Sequence, residues 1–330
     1  MTEFLELVDL AARRVGGAVL AANDEFFAPK ERLLLPTRPI FVDGRYTERG
    51  KWMDGWETRR RRTPGHDWCV IRLGIPGTVH GVSIDTTHFA GNFPEHASID
   101  GVAVEGPVDV ASLTKDSSLW FELVPRTLLR GNTENLIAVP ESPRVTHIRL
   151  NIYPDGGVAR LRVYGRGLSD WQALSRVEAI DVASAAHGGL VVASSDMFFG
   201  SRQNLILPGV GRTIGEGWET KRRRTDGHDW AIVQLAASAL IERVEVDTTH
   251  YVGNAPGSCS VDTTIGTTTA EITAPDHVWE SLLPPIPLWP DSVHRFEHEL
   301  RRVKPATHAR LNIFPDGGVN RLRLFGRVSH

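Results

Sequence analysis

Hydrophobic and polar residues alternate along HIRLNIY (147–153). In an extended segment Ile148, Leu150 and Ile152 point to one side, and His147, Arg149, Asn151 and Tyr153 point to the other, because successive strand side chains alternate faces. PDGG (154–157) then predicts a turn, with proline fixing φ and the glycines permitting positive φ. ARLRVY returns with Leu161 and Val163 inward and Arg160, Arg162 and Tyr164 outward. The two segments form a hairpin with one apolar face and one face of Arg, His, Asn and aromatic side chains. CVIRLGI, VHGVSID, SIDGVAV and LWFELVP read as further strands, punctuated by Gly, Pro, Asn and Asp, while helical periodicity is scarce. Seven or eight strands in about 150 residues predict an all-β fold of jelly-roll β-sandwich type.

The pattern is written twice. GWETRRRRTPGHDW (55–68) returns as GWETKRRRTDGHDW (217–230), and DTTHFAGN (85–92) as DTTHYVGN (247–254). The hairpin THIRLNIYPDGGVARLRVYGR (146–166) returns as THARLNIFPDGGVNRLRLFGR (307–327). Upstream, residues 9–36 match 181–208, so the first copy carries about ten extra residues within VDGRYTERGKW. Repeats of this size are duplicated domains, since solenoid units run to only about 20–50 residues. The expected organisation is a first sandwich over 1–167, a linker over 168–180 and a second sandwich over 181–330. LSDWQALSRVEAI, in the linker region, reads as a short helix.

Composition narrows the function classes. Hydrophobic residues make up 41% of 330 residues and charged residues 23%, as in soluble globular proteins. A net charge of −3 argues against a nucleic-acid partner despite the arginine runs. Cys69 and Cys259 face Ala231 and Ala97 in the opposite copies, which rules out a repeated disulfide and argues against a thiolate metal site. No membrane span is expected, because no apolar run approaches about 18 residues. MTEFLELVDLAARR lacks the features of a signal peptide, so the expected location is cytoplasmic.

The repeated polar residues carry the chemistry. Both copies keep Glu57 (Glu219), His66 and Asp67 (His228, Asp229), Asp85, His88 and Asn92 (Asp247, His250, Asn254), and Arg149, Asn151 and Arg162 (Arg310, Asn312, Arg323). In the arginine run, Arg60 and Arg62 share one face of an extended segment and Arg59 and Arg61 the other. Pairing of at least one of them with an internal carboxylate is expected ahead of contact with an anionic ligand. GHDW is open to two readings, a tight turn capped by aspartate or a histidine oriented for proton transfer. DTTH leaves room for a divalent metal, although no HExxH-like ligand set accompanies it. Asp155 in PDGG is expected to steady its own turn. No GxSxG, P-loop or GxGxxG appears, so no cofactor is required on this evidence.

Together DGWETRRRR, GHDW, DTTHFAGN and LNIYPDGGVARLRVYG, with second copies in the same order, resemble the allantoicase (allantoate amidinohydrolase) family over nearly the whole chain. The resemblance implies two tandem jelly-roll domains related to galactose-binding modules, and a homo-oligomer. It implies hydrolysis of allantoate to ureidoglycolate and urea in allantoin and purine degradation, a reaction on C–N bonds of linear amidines. Acid-assisted loss of urea would be followed by addition of water at the central carbon. His66 or His88 would deliver the proton, and Glu57, Asp67 or Asp85 would orient the histidine or activate water. Arg149 or Arg162, with Arg61, would hold the carboxylate, and Asn92 and Asn151 would meet the ureido groups.

The second-copy residues His228, Asp229, Glu219, Asp247 and His250, with Arg223, Asn254, Arg310, Asn312 and Arg323, leave open one site or two. Phe314 and Phe325 stand where the first copy has Tyr153 and Tyr164, which favours the first copy if one site works. The rival expectation is a non-catalytic tandem module binding carbohydrate or a small anion.

Overall fold

The alternation along 147–153 becomes a strand whose apolar side lies in the core of the first of two compact units, Met1–Leu168 and Ser169–His330. The computed structural model describes residues 3–106, 108–115, 119–169 and 179–329. Most of the expected linker, including its short helix, lies outside the described residues.

Unit 1 is built from β1 (Val8–Asp9), β2 (Ala18–Ala22), β3 (Tyr46–Thr47), β4 (Gly50–Lys51), β5 (Trp56–Glu57), β6 (Asp67–Asp85), β7 (His96–Val102), β8 (Phe121–Leu128), β9 (Glu134–Ala138), β10 (Arg144–Tyr153), β11 (Gly157–Val158) and β12 (Arg160–Gly167). One layer runs β2, β6, β10, β7, β8 and the other β9, β6, β12, β1, with antiparallel neighbours throughout. CVIRLGI and VHGVSID, predicted as separate strands, are therefore the two halves of β6, which belongs to both layers. The reason lies at GIPG. The amides of Gly74 and Ile75 donate to the Leu10 carbonyl, and the Pro76 carbonyl accepts from Leu168. With its polar groups paired to neighbouring segments, the chain bends from one layer to the other without needing a loop.

Unit 2 repeats the plan with β13 (Ile180–Asp181), β14 (Leu190–Ser194), β15 (Trp218–Glu219), β16 (Asp229–Asp247), β17 (Ser258–Thr264), β18 (Glu280–Pro287), β19 (Val293–Phe296), β20 (Ala306–Phe314), β21 (Gly318–Val319) and β22 (Arg321–Val328). The long β16 again joins both layers. The chain is thus all-β, with two similar sandwich units. No helix among the described residues is long and apolar enough to cross a membrane.

Between the layers of unit 1, Ile148, Leu150, Ile152, Leu161, Val163, Val82 and Ile84 are buried. Each contributes about 1.5–3 kcal/mol relative to exposure. Trp56 is fully enclosed, and its indole N–H donates to the Asp24 carbonyl at 2.8 Å.

The polar faces are less exposed than the alternation implies. His147, Asn151 and Arg160 were expected to point outward, and all three are buried. Arg160 Nη2 donates to Asp54 Oδ2 at 2.7 Å, Nη1 to the Asp54 carbonyl at 2.9 Å, and Nε to the Thr37 carbonyl at 2.9 Å. Segments remote in sequence lie over the outer faces, and periodicity cannot report them. The extra residues of the first copy form the β3–β4 hairpin, with Arg45 4.3 Å over the Trp52 ring and Arg49 5.2 Å over Phe26. With residues 25–31 it borders an open cleft of about 560 Å³. Among the described residues unit 2 has no such hairpin, and Phe198 and Phe199, the counterparts of Phe26 and Phe27, are exposed.

Candidate active site

The outer face of β10 carries the first part of the site. Antiparallel register sets Arg149 opposite Asp100 and Asn151 opposite Ser98 on β7. Arg149 donates to Asp100 Oδ2 from Nε at 3.1 Å and Nη2 at 2.9 Å, and its guanidinium lies 4.9 Å over the Trp120 ring. Asn151 Nδ2 donates to Asp100 Oδ2 at 2.8 Å and Ser98 Oγ at 3.1 Å. The Tyr153 hydroxyl lies 3.0 Å from the same Ser98 Oγ. Both repeated pairs, Ser98/Asp100 and Ser260/Asp262, were visible in the sequence as SID and SVD, but were not singled out.

The second part is the GHDW loop, which β6 joins to the edge of β10. Arg61 Nη1 and Asn23 Nδ2 both donate to Asp67 Oδ1 at 2.8 Å. The Arg61 amide donates to Asp155 Oδ2 at 2.8 Å. Asp155 therefore fastens the arginine run to the PDGG turn, where an internal role had been expected. Gly65, at φ +126°, keeps the loop close under the Arg61 side chain; a Cβ there would come within 2.8 Å of the guanidinium. Asn23, Asp24, Arg59–Thr63 and Asp67 line a cleft of about 370 Å³, within the range of small-ligand sites. The expected internal pairing of the run is present twice, as Arg61 with Asp67 and Arg59 with Asp24.

His66 joins the two parts. Its ring lies 4.7 Å from that of Tyr153, and Asn151, Arg149, Arg61 and Asp100 surround it. Burial pushes its pKa below the ordinary histidine value, assisted by the Arg149 and Arg61 charges and opposed by Asn151 and Asp100. At neutral pH the ring is therefore uncharged.

Unit 2 shows how the ring is oriented. Asn312 Nδ2 donates to Ser260 Oγ and Asp262 Oδ2, so its Oδ1 is the acceptor facing His228 Nε2 at 3.2 Å. That nitrogen carries the hydrogen of the bond. Asn151 is held in the same way by Ser98 and Asp100, which leaves its Oδ1 as the acceptor beside His66.

The remaining predicted residues do not reach this face. Asn92 Nδ2 donates to Glu57 Oε1 at 2.7 Å, and the equivalent Asn254–Glu219 bond measures 2.5 Å. Burial raises the Glu57 pKa, with Asn92 opposing. Asp85 Oδ1 accepts from the Thr87 amide at 2.8 Å, as Asp247 does from Thr249 at 2.7 Å. Asp85 lines a separate cavity of about 160 Å³ with Glu134, Arg160, Arg162 and Tyr164.

Arg162 donates to the Leu35 carbonyl and lies 3.7 Å from Asp9 Oδ2. Arg323 likewise pairs with Asp181 and the Gly209 carbonyl. His88, at φ +71°, places Nε2 3.3 Å from the Pro39 carbonyl; His250 makes the same contact to Gly211 at 3.1 Å. These groups lie apart from the His66 face because Asp67 leaves the layer containing β10, whereas Asp85 leaves the layer containing β12. Among the described residues no three His, Cys, Asp or Glu side chains converge as metal ligands, and the DTTH pair forms no such set.

Unit 2 keeps the frame of the face: Arg223 with Asp229 at 2.6 Å, Arg310 with Asp262 at 3.0 Å, and Asn312 with Asp262 at 2.9 Å. Ser195 replaces Asn23 and donates to Asp229 Oδ1 at 2.9 Å.

The sequence model of a family described as "Allantoicase repeat" matches residues 8–168 and 180–329. A "Probable allantoicase 2" of Burkholderia pseudomallei is 49% identical over 324 residues, covering 98% of this chain and 95% of that protein. A "Probable allantoicase" of Pseudomonas aeruginosa is 48% identical over 326 residues, covering 98% and 96%. The crystal structure of allantoicase from Saccharomyces cerevisiae superposes with a TM-score of 0.83 at 35% identity, covering 98% of this chain and 96% of that one.

Proposed function

The chain belongs to the allantoicase family, and from that premise we propose that the His66 face of unit 1 is where its substrate reacts. The reaction is the hydrolysis of allantoate to ureidoglycolate and urea, a step of purine degradation through allantoin. A non-catalytic binding module is not favoured, since the kinship to allantoicases spans both units.

One observation carries the site assignment: the half-buried His66 imidazole lies against the Tyr153 ring and beside Asn151, whose Oδ1 is placed to take one ring N–H and leave the other nitrogen free to accept a proton. The bare nitrogen of His66 takes the N–H proton of the ureido group that stays. The C–N bond to the other ureido group breaks as that proton passes to the departing nitrogen, yielding urea and a carbamoylimine of glyoxylate. Water then adds to the imine carbon. His66 takes a proton from the water and returns it to the imine nitrogen, yielding ureidoglycolate. Each step restores the neutral ring, so the acid expected of His66 acts first as a base.

Asp67, fixed by Arg61 and Asn23, holds the loop that carries the ring. Asn151 sets its tautomer, and Arg149 with Asp100 sets Asn151. Arg61 and Arg149 thus position other groups and do not clamp the substrate. Glu57, Asn92, Asp85, His88 and Arg162 serve the architecture of neighbouring loops in this reading. Side-chain proton transfer suffices for both steps, so the proposal includes no cofactor.

A cytoplasmic homo-oligomer completes the reading. Two buried free thiols suit a reducing compartment, and exposed Phe198 and Phe199 suit a subunit contact.

The pH dependence of kcat/KM tests the base role. Catalysis needs the unprotonated ring, so activity falls as pH falls through the His66 pKa. Burial places that pKa below the ordinary value of about 6.5. We expect an acid limb centred below 6.5 and a flat profile from there to neutrality. A limb centred above 6.5, or activity rising on acidification, contradicts a base with a depressed pKa.

A further inference from the structure

We infer that Arg126, a residue outside both copies' shared polar set, is the group of unit 1 that binds the substrate's carboxylate; this rests on the His66 face being the active site. The inference starts from a bulge. β7 and β8 pair Ala97 with Thr127 and Ile99 with Val124, so the two residues Pro125 and Arg126 lie opposite the single Ser98. Bulges of this kind re-aim a side chain out of the regular alternation. Here the guanidinium of Arg126 comes to rest 4.5 Å over the Tyr153 ring, the ring that also packs against His66.

The second observation is what Arg126 lacks. Arg61 is bonded to Asp67, Arg149 to Asp100 and Arg59 to Asp24. Arg126 is exposed and has no hydrogen bond or ion pair among the described residues. Its ring contact places the guanidinium beside Tyr153 while its N–H fork has no partner among the described residues, an arrangement suited to bidentate capture of a carboxylate. Allantoate carries its carboxylate on the reacting carbon, so an anchor beside Tyr153 holds that carbon near His66.

The third observation is the comparison of units. β17 and β18 carry the same bulge, with Cys259 opposite Ile286 and Val261 opposite Leu283. The residue in the place of Arg126 is Pro285, and Phe314 stands for Tyr153. Histidine, asparagine, aspartates and internal arginines persist in unit 2, whereas the unpaired cation and the phenol do not. Arg60 and Arg62 on the cleft recur as Arg222 and Arg224, so they cannot distinguish the two faces.

Steady-state kinetics of Arg126→Gln, Arg126→Lys and His66→Gln separate the possibilities. A carboxylate held equally in ground and transition states contributes to KM. Arg126→Gln is expected to raise KM for allantoate about 10–100-fold, the scale of a lost charged hydrogen-bond pair, while kcat is retained. Arg126→Lys keeps the charge without the fork and recovers part of the loss. An unchanged KM in Arg126→Gln, with activity lost in His66→Gln, overturns the inference and leaves the active face standing; Arg60 and Arg62 then become the anion anchors. Full activity in His66→Gln overturns the underlying reading itself.

Discussion

Replacing His66 by alanine is expected to lower kcat for urea release by about 10²–10⁴-fold, the range supplied by a positioned proton-transfer group. The same change at His228 is expected to leave kcat unchanged. Both rings have equivalent frames, since each faces an asparagine held by a serine and an aspartate. Both also pack against an aromatic ring, Tyr153 at 4.7 Å and Phe314 at 4.6 Å. A purely structural role therefore predicts equal effects at the two positions, whereas catalysis in unit 1 predicts unequal ones. The substitution keeps the network of Asp67 with Arg61 and Asn23 intact, so loss of activity in a folded protein reports the imidazole itself. Urea and ureidoglycolate formation measure it. Equal losses in the two variants contradict catalysis confined to unit 1, and a loss confined to His228→Ala moves it to unit 2.

The largest effect on stability is expected at Asp54. Its carboxylate is buried and bonded to Arg160, Arg32 and the Ile40 amide at 2.7, 2.9 and 3.1 Å. Side-chain bonds from both arginines and the amide bond hold the Asp54 pKa below its usual value against the opposing effect of burial, which is the largest influence. Asp54→Ala leaves the Arg160 guanidinium, only 2% exposed, with carbonyl partners and no counter-charge. Breaking a buried pair on one side costs about 3–5 kcal/mol, much of it the uncompensated charge that remains. Hydrogen exchange is the suitable measurement, because unit 1 amides report the loss while unit 2 amides serve as a reference in the same molecule. A decrease below about 1 kcal/mol in unit 1 would show that the pair is solvated in solution, as surface pairs are.

Much of this arrangement was legible in the sequence because it is local or repeated. Alternation along 147–153 placed Arg149, Asn151 and Tyr153 on one face, and duplication marked His66 and Asp67 as worth keeping. What escaped is non-local. Whether Arg160 meets water depends on Asp54 and Thr37, more than a hundred residues away, and alternation carries no trace of them. Asp85 and Asp67 looked like members of one site until pairing with β12 and β10 put them in different layers. GIPG reads as a chain break, yet Leu10 and Leu168 satisfy its backbone and keep β6 continuous. Arg126 was invisible to the comparison of copies, because a search for shared residues discards the position where the copies differ.

The central claim is that allantoate reacts on the outer face of β10 in unit 1. A crystal structure of the His66→Ala protein with allantoate tests it most directly. The account predicts substrate beside Tyr153 in unit 1, with its carboxylate about 2.7–2.9 Å from the Arg126 guanidinium and a ureido N–H turned toward the space the imidazole left. Substrate lodged instead in the cavity between Asp85 and Glu134, or against His228 in unit 2, would contradict it.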